Sequence, residues 1–140
     1  MTNSSAQAQA LFARYLEHWN ARDIQAIAAC FTEPSMFVLP TGTIAMPDRR
    51  ALTTLLKKIF DGLDAAGFSH SEVGSVTATP CGDGLAIIDA SRVRRLKADG
   101  SFLEEIDGHY VVRETDEGWR FTVAVVCVPG WRETSRPSDS

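Results

Sequence analysis

Three polar side chains in otherwise apolar segments could carry chemistry in this chain. Asp89 and His109 lie in segments whose pattern predicts strands, and Tyr15 lies on the apolar side of a predicted helix. An imidazole can act as a general base near neutral pH, a carboxylate can orient it, and a phenol can donate a hydrogen bond to a ligand oxygen. Tyr15, Asp89 and His109 therefore form the candidate catalytic set, with Asp107 as an alternative partner of His109.

Each candidate also has a purely structural interpretation. His109 can be hydrogen-bonded at a subunit interface, and Asp89 can pair across the sheet with Arg92, Arg94 or Arg113, because a carboxylate in an apolar strand needs a partner. Both interpretations stay open from the sequence alone.

The register of the last hairpin decides where His109 points. A hairpin that pairs Thr115 with Trp119 places His109 opposite Val125, on the face that holds Trp119 and Phe121. We therefore expect the imidazole on the same side of the sheet as these aromatic side chains.

Three predicted helices come first along the chain. Apolar residues recur at helical spacing from Leu11 to Trp19, which predicts a first helix that starts near Ser4 and ends near Asn20. A second short helix covers roughly residues 23–30, and a third opens at Pro47-Asp48 and ends before Gly67.

The strands follow the first two helices. Residues 35–39 and 43–45 read as a small hairpin around the turn at Pro40–Gly42, and a meander is predicted near residues 70–80, 85–97, 102–114 and 119–128. Helices first and antiparallel strands afterwards indicate the α+β class. Residues 1–131 are expected to form one domain, and residues 132–140 a disordered tail.

Composition excludes several classes of partner. The net charge is -4 and the pI is near 5.3, which argues against a phosphate backbone as ligand. The one basic cluster is interpreted as a solvated strand face; it comprises Arg92, Arg94, Arg95 and Lys97. The sequence offers no membrane span and no charged leader, so a cytoplasmic protein is expected.

The cysteines and histidines do not predict a bound metal. Cys30, Cys81 and Cys127 form an odd set without C-x-x-C spacing, so they are interpreted as small buried apolar residues rather than a disulfide framework or zinc site. No cofactor is expected.

The spacing of Arg14, Tyr15, Asn20, Ala21 and Asp23 resembles the R-Y-x-x-x-x-N-A-x-D pattern of ketosteroid isomerase, in the nuclear transport factor 2-like (NTF2-like) superfamily. The resemblance covers roughly residues 6–130. It implies a cone in which three N-terminal helices pack on a curved, mostly antiparallel sheet, with Tyr15 at the position of the oxyanion-hole tyrosine.

Two positions depart from the isomerase. Its general-base aspartate falls on Leu39, directly before Pro40, and its second carboxylic acid falls on Tyr110 or Val111, none of which is a carboxylate. Steroid isomerisation by the family mechanism is therefore disfavoured. Residues 30–34 and 37–43 also resemble the SnoaL-like and SgcJ/EcaC-type branches, which are associated with natural-product biosynthesis.

The cone implies a pocket, and its expected lining is largely aromatic. Beside Tyr15, the residues expected to line it are Trp19, Phe31, Phe37, Leu39 and Tyr110. Such a lining predicts an elongated apolar ligand with one or two oxygens, one of which accepts a hydrogen bond from Tyr15.

Two function classes follow. The protein is either a cofactor-independent enzyme of the cyclase, isomerase or dehydratase kind, or a non-catalytic binding or dimerisation module whose pocket holds an apolar ligand or is filled by its own side chains.

Both faces of the strand from Phe121 to Val128 are apolar or small, so a homodimer through the outer sheet face is expected, as is common in this superfamily; the alternative is a monomer with an apolar surface.

Overall fold

The computed structural model describes residues 4–128, and the expected tail at 132–140 lies outside them. The chain order is α1 (Ser4–Ala21), α2 (Ile24–Ala29), β1 (Phe31–Leu39), β2 (Gly42–Met46), α3 (Arg49–Ala65), β3 (Phe68–Gly82), β4 (Leu85–Lys97), β5 (Phe102–Thr115) and β6 (Gly118–Cys127). The predicted α+β class is confirmed.

Aspartates begin the two later helices. Asp23 accepts a hydrogen bond from Ala26 N at 3.1 Å, and Asp48 accepts one from Ala51 N at 2.9 Å. Each carboxylate satisfies a backbone donor of the first turn that has no partner within the helix. The helices therefore begin where the sequence predicts.

The six strands form one curved sheet in the order β2-β1-β6-β5-β4-β3. Neighbours are antiparallel except β1 and β6, which run parallel. Strand β1 starts at Phe31, earlier than the prediction at residue 35, because pairing with β6 continues past Pro34 through a register shift. The predicted β1–β2 hairpin is confirmed.

The helices cover one face of this sheet, which we call the inner face. Buried side chains on it include Phe37, Ile88, Tyr110 and Phe121, and α1 contributes Leu11, Phe12 and Tyr15 to the same core. The opposite, outer face is uncovered within residues 4–128 and carries partly exposed side chains such as Val123 and Val125. No described helix is long and apolar enough to cross a membrane.

Candidate functional site

A cavity of about 260 Å³ lies between α1 and the inner face. Most of its wall is apolar, and all six expected lining positions except Phe31 contribute to it. The described residues that line it are Phe12, Tyr15, Leu16, Trp19, Phe37, Leu39, Pro40, Thr41, Ile59, Ser71, Val93, Arg95, Ile106, Tyr110, Ala124 and Val126.

Tyr15 is the centre of an aromatic cluster that supports the cavity wall. Its ring centroid lies 4.7 Å from that of Phe121, 5.9 Å from that of Phe31 and 6.0 Å from that of Tyr110. Phe31 itself belongs to the core behind this wall, where it packs on Phe37 at 5.4 Å. The cluster holds the Tyr15 ring with little freedom to move.

Burial raises the pKa values of the two phenols of the cavity. It raises the pKa of Tyr15 well above its usual value, and the neighbouring Tyr110 phenol adds to that shift. It also raises the pKa of Tyr110 to about 12, while the Arg95 charge acts in the opposite direction on both phenols. The Trp19 indole N–H likewise acts to lower the Tyr15 pKa, yet no described residue gives Trp19 Nε1 a hydrogen bond of normal geometry.

Tyr110 depends on a glycine beneath it. A Cβ atom at Gly108 would lie 2.5 Å from the Tyr110 hydroxyl oxygen and 2.8 Å from two of its ring carbons. Any larger residue at 108 would displace the phenol. Gly108 therefore belongs to the construction of the cavity, although its sequence neighbourhood gives no turn signal for it.

The sequence pattern predicted a solvated position for Arg95, and this prediction is wrong. Arg95 lines the cavity, and its Nη1 donates to Glu104 Oε1 at 2.7 Å; the Arg95 side chain is 18% exposed and that of Glu104 is 44% exposed. The expected solvated face thus holds for Arg94, which pairs with Glu105 across β4 and β5, but not for Arg95.

A bulge in β4 turns Arg95 inward. Ala90 pairs with Gly108 and Val93 with Ile106, so β4 has an extra residue at this point, and Arg92 takes a positive φ of 57°. Arg92 N donates to Asp107 Oδ1 at 3.1 Å, which anchors the bulge to β5. The alternation therefore changes phase, and Val93 and Arg95 face the cavity.

Gly74 in β3 makes room for the bulge. A Cβ atom at Gly74 would lie 2.8 Å from the Arg92 Cβ. Beyond it, Ser71 pairs with Arg95 and also lines the cavity. Asn20 fixes Ser71 by accepting from its N at 2.8 Å and donating Nδ2 to its O at 3.1 Å.

Asp89 and His109 lie together, but outside the cavity. They pair directly across β4 and β5, and His109 Nδ1 lies 2.6 Å from Asp89 Oδ1. The pair is on the outer face, with the Asp89 side chain 43% exposed and that of His109 25% exposed. Tyr15 therefore has neither of these groups on its side of the sheet.

The orientation of His109 differs from the sequence expectation because of a second bulge. His109 does pair with Val125, as predicted, but Glu114 rather than Thr115 pairs with Trp119. Between these pairs the register shifts, and the extra residue is Thr122. Trp119 and Phe121 consequently face inward while Val125 and His109 face outward.

The cysteines occupy three different environments. Cys30 is buried, as expected, but Cys127 is half-buried and Cys81 is exposed, so the interpretation as buried apolar residues is wrong for Cys81.

Solved structures share this architecture at low sequence identity. An NTF2-like protein of unknown function from Pseudomonas putida has a TM-score of 0.76 at 18% identity, over 99% of this chain and 95% of that one. Aln2 from a Streptomyces species gives 0.74 at 16% identity, over 94% of each chain. A ketosteroid isomerase-like protein from Erwinia carotovora gives 0.64 at 16% identity, over 90% of this chain and 96% of that one. These similarities establish the fold.

Sequence comparison identifies the family. No curated protein matches the chain significantly. The profile of the family described as "NTF2-like protein (DUF6841)" matches residues 5–129, which include all of the elements described above except the first residue of α1. The chain therefore belongs to this NTF2-like family.

Proposed function

We propose that this protein binds a small, mostly apolar molecule with one or two oxygens in the cone cavity. The observation that carries the proposal is the cavity itself: about 260 Å³ of space, an apolar wall and two phenols facing it. Apolar concave sites with a few polar groups are typical of ligand binding. A lining that fills its own space would instead favour a module without a ligand.

The polar groups favour binding over acid–base catalysis. Proton transfer requires contact with the reacting atoms, and the Asp89–His109 pair lies on the other side of the sheet. The phenols of Tyr15 and Tyr110 are protonated at neutral pH, and burial raises their pKa values further, so neither can serve as a general base there. These groups are suited to hold a ligand oxygen, which supports a binding module rather than a cyclase or isomerase.

Filling the cavity should abolish binding. 2-Naphthol is a suitable probe, since it is apolar and carries one hydroxyl, and its own fluorescence reports a change of environment. Ala124→Leu adds bulk to the cavity wall from β6, so we expect at least a roughly tenfold loss of affinity from overlap with the ligand. Ala45→Leu adds the same bulk on the outer face, where Ala45 pairs with Met36, and should leave affinity unchanged. Equal affinities in both variants would place the probe elsewhere.

Removing one hydroxyl tests how the oxygen is held. Tyr15→Phe should weaken 2-naphthol binding by about 1 kcal/mol, roughly fivefold, because one hydrogen bond is lost while the ring packing stays. Unchanged affinity would show that Tyr15 contributes only to packing.

A further inference from the structure

The polar groups that line the cavity are biased toward donors. Trp19 Nε1 can only donate, the Arg95 guanidinium can only donate, and the two phenols are protonated. Of the described lining residues, none carries a carboxylate. A ligand that pairs with these donors must therefore offer several hydrogen-bond acceptors.

Trp19 provides an independent sign of a missing acceptor. Its side chain is buried on the cavity wall, with its ring centroid 4.6 Å from that of Phe60. Its Nε1 makes no hydrogen bond of normal geometry among residues 4–128, although the Tyr15 phenol lies close enough to feel its N–H. Burying an indole N–H without a hydrogen bond is costly, so native proteins normally give it a partner. A ligand atom with a lone pair can fill this role.

Arg95 adds a positive charge to the donor wall. Its guanidinium is largely buried and donates through Nη1 to Glu104, which is much more exposed. A guanidinium has five N–H donors in a planar fork, so the contact with Glu104 leaves further donors for a second acceptor. Ser71, opposite Arg95 in β3 and fixed by Asn20, adds a hydroxyl beside it.

We propose that the cavity ligand is a carboxylic acid with an apolar body, whose carboxylate is bound by Arg95. The proposal rests on the binding function above and names the chemical class of its ligand. The carboxylate shares the guanidinium with Glu104, and a further ligand oxygen, where present, accepts from Trp19 Nε1. Arg95 acts as the specificity residue, because a charge-assisted hydrogen bond away from bulk water is stronger than one between neutral groups.

Removing the charge of Glu104 should have the opposite effect on ligand affinity from removing the charge of Arg95. Its carboxylate repels a bound anion and competes for the same guanidinium. Neutralising it with Glu104→Gln should therefore strengthen binding of an acid, by about two- to fivefold for a half-exposed charge, and leave a neutral ligand unaffected. A purely structural Arg95–Glu104 pair predicts no such gain.

The test compares two probes of nearly equal shape, 2-naphthoic acid and 2-naphthamide, titrated at neutral pH by calorimetry. The protein should bind the acid roughly tenfold tighter than the amide or better, the worth of a hydrogen bond between charged groups. Arg95→Met should remove this preference while keeping amide affinity. Arg94→Met and Glu105→Gln are matched controls, because that neighbouring pair points to the outer face, and both should keep the preference.

The outcomes separate the two proposals. If the amide binds as tightly as the acid, the acid assignment is overturned and the binding function stands. If neither probe and no 2-naphthol binds, the binding function is overturned with it. If Arg95→Met fails to fold, Glu104→Gln provides the test. A gain in affinity for the acid but not for the amide supports the proposal. Affinities equal to those of the natural chain contradict it.

Discussion

The two tyrosines give the molecule an alkaline transition that can be assigned to individual residues. The chain contains only Tyr15 and Tyr110, and burial raises both pKa values in the folded state. Above about pH 10 the unfolded chain loses these protons while the native state keeps them. Stability is therefore fully present below pH 10 and falls as pH rises toward the folded values, by roughly 1.4 kcal/mol per pH unit for each phenol.

Tyr110→Phe isolates one of these contributions. The variant should lose stability less steeply than the natural chain between about pH 10 and about pH 12, the window set by the shift of Tyr110. Tyrosinate absorbance and circular dichroism, recorded together, check the assignment. Both signals should change in one transition; tyrosinate absorbance that rises at pH 10 in a fully folded protein would contradict it.

Residue types indicated part of the site from the sequence. Tyr15, Trp19, Phe37, Leu39 and Tyr110 line the cavity as expected, since helical spacing and strand alternation place aromatic side chains on a buried face.

The pattern could not show which of several buried rings faces an empty space. For this reason Phe31 was expected on the wall but lies behind it.

At the scale of elements, two bulges explain why His109 and Arg95 were each predicted on the wrong face of the sheet. Alternation without a bulge puts His109 on the inner face and Arg95 on the outer one, and each bulge reverses one of these assignments. The bulge in β4 is accompanied by a positive φ at one residue and a glycine opposite it, whereas the bulge in β6 has neither sign at Thr122. Arg92 and Gly74 carry these signs, but they are recognised only when the strands are aligned.

The β4 bulge can be tested through its anchor. Asp107→Ala removes the acceptor of Arg92 N and should lower the free energy of unfolding by about 1–3 kcal/mol, because a part-buried backbone donor loses the buried carboxylate that accepts from it. It should also weaken 2-naphthoic acid binding, since Arg95 is no longer held inward. Chemical denaturation and calorimetry measure the two effects.

Asp89→Ala is the matched control for the anchor, on the neighbouring strand and the same face. It removes a half-exposed contact with His109, so its cost should stay below about 1 kcal/mol and acid binding should persist. Equal losses in both variants would mean that Asp107 has no special role at the bulge.

At the scale of the whole molecule, the outer face is the sheet surface that residues 4–128 leave uncovered. Val123 pairs with Met36 on one side and Val111 on the other, and Val125 pairs with Val38, so these side chains form one apolar strip across three strands. Met36 is 37% exposed and nearby Ile87 is 41% exposed. We propose that a second copy of the chain covers this strip, since apolar patches of this kind mark interfaces.

Val123→Glu tests the dimer, because Val123 lies between Met36 and Val111 in the middle of the strip. A charge in the middle of the strip should dissociate it, because burying an unpaired carboxylate is strongly unfavourable. Sedimentation at micromolar concentration should show the natural chain as a dimer and the variant as a monomer. Ile44→Glu is the control: this residue is similarly exposed but pairs with Phe37, and so lies on the inner side. A natural chain that sediments as a monomer would overturn the proposal.

The strand order also sets a sequence of events during synthesis. The β1–β2 hairpin joins the rest of the sheet through β6, which is the last of the described strands to leave the ribosome. Until β6 emerges, β1 has no partner on that side, β5 presents an open edge, and the wall formed by Ala124 and Val126 is missing. Pairing between such distant segments is slow to form. The nascent chain thus acquires its cavity in a late step, and competence for a ligand coincides with closure of the sheet.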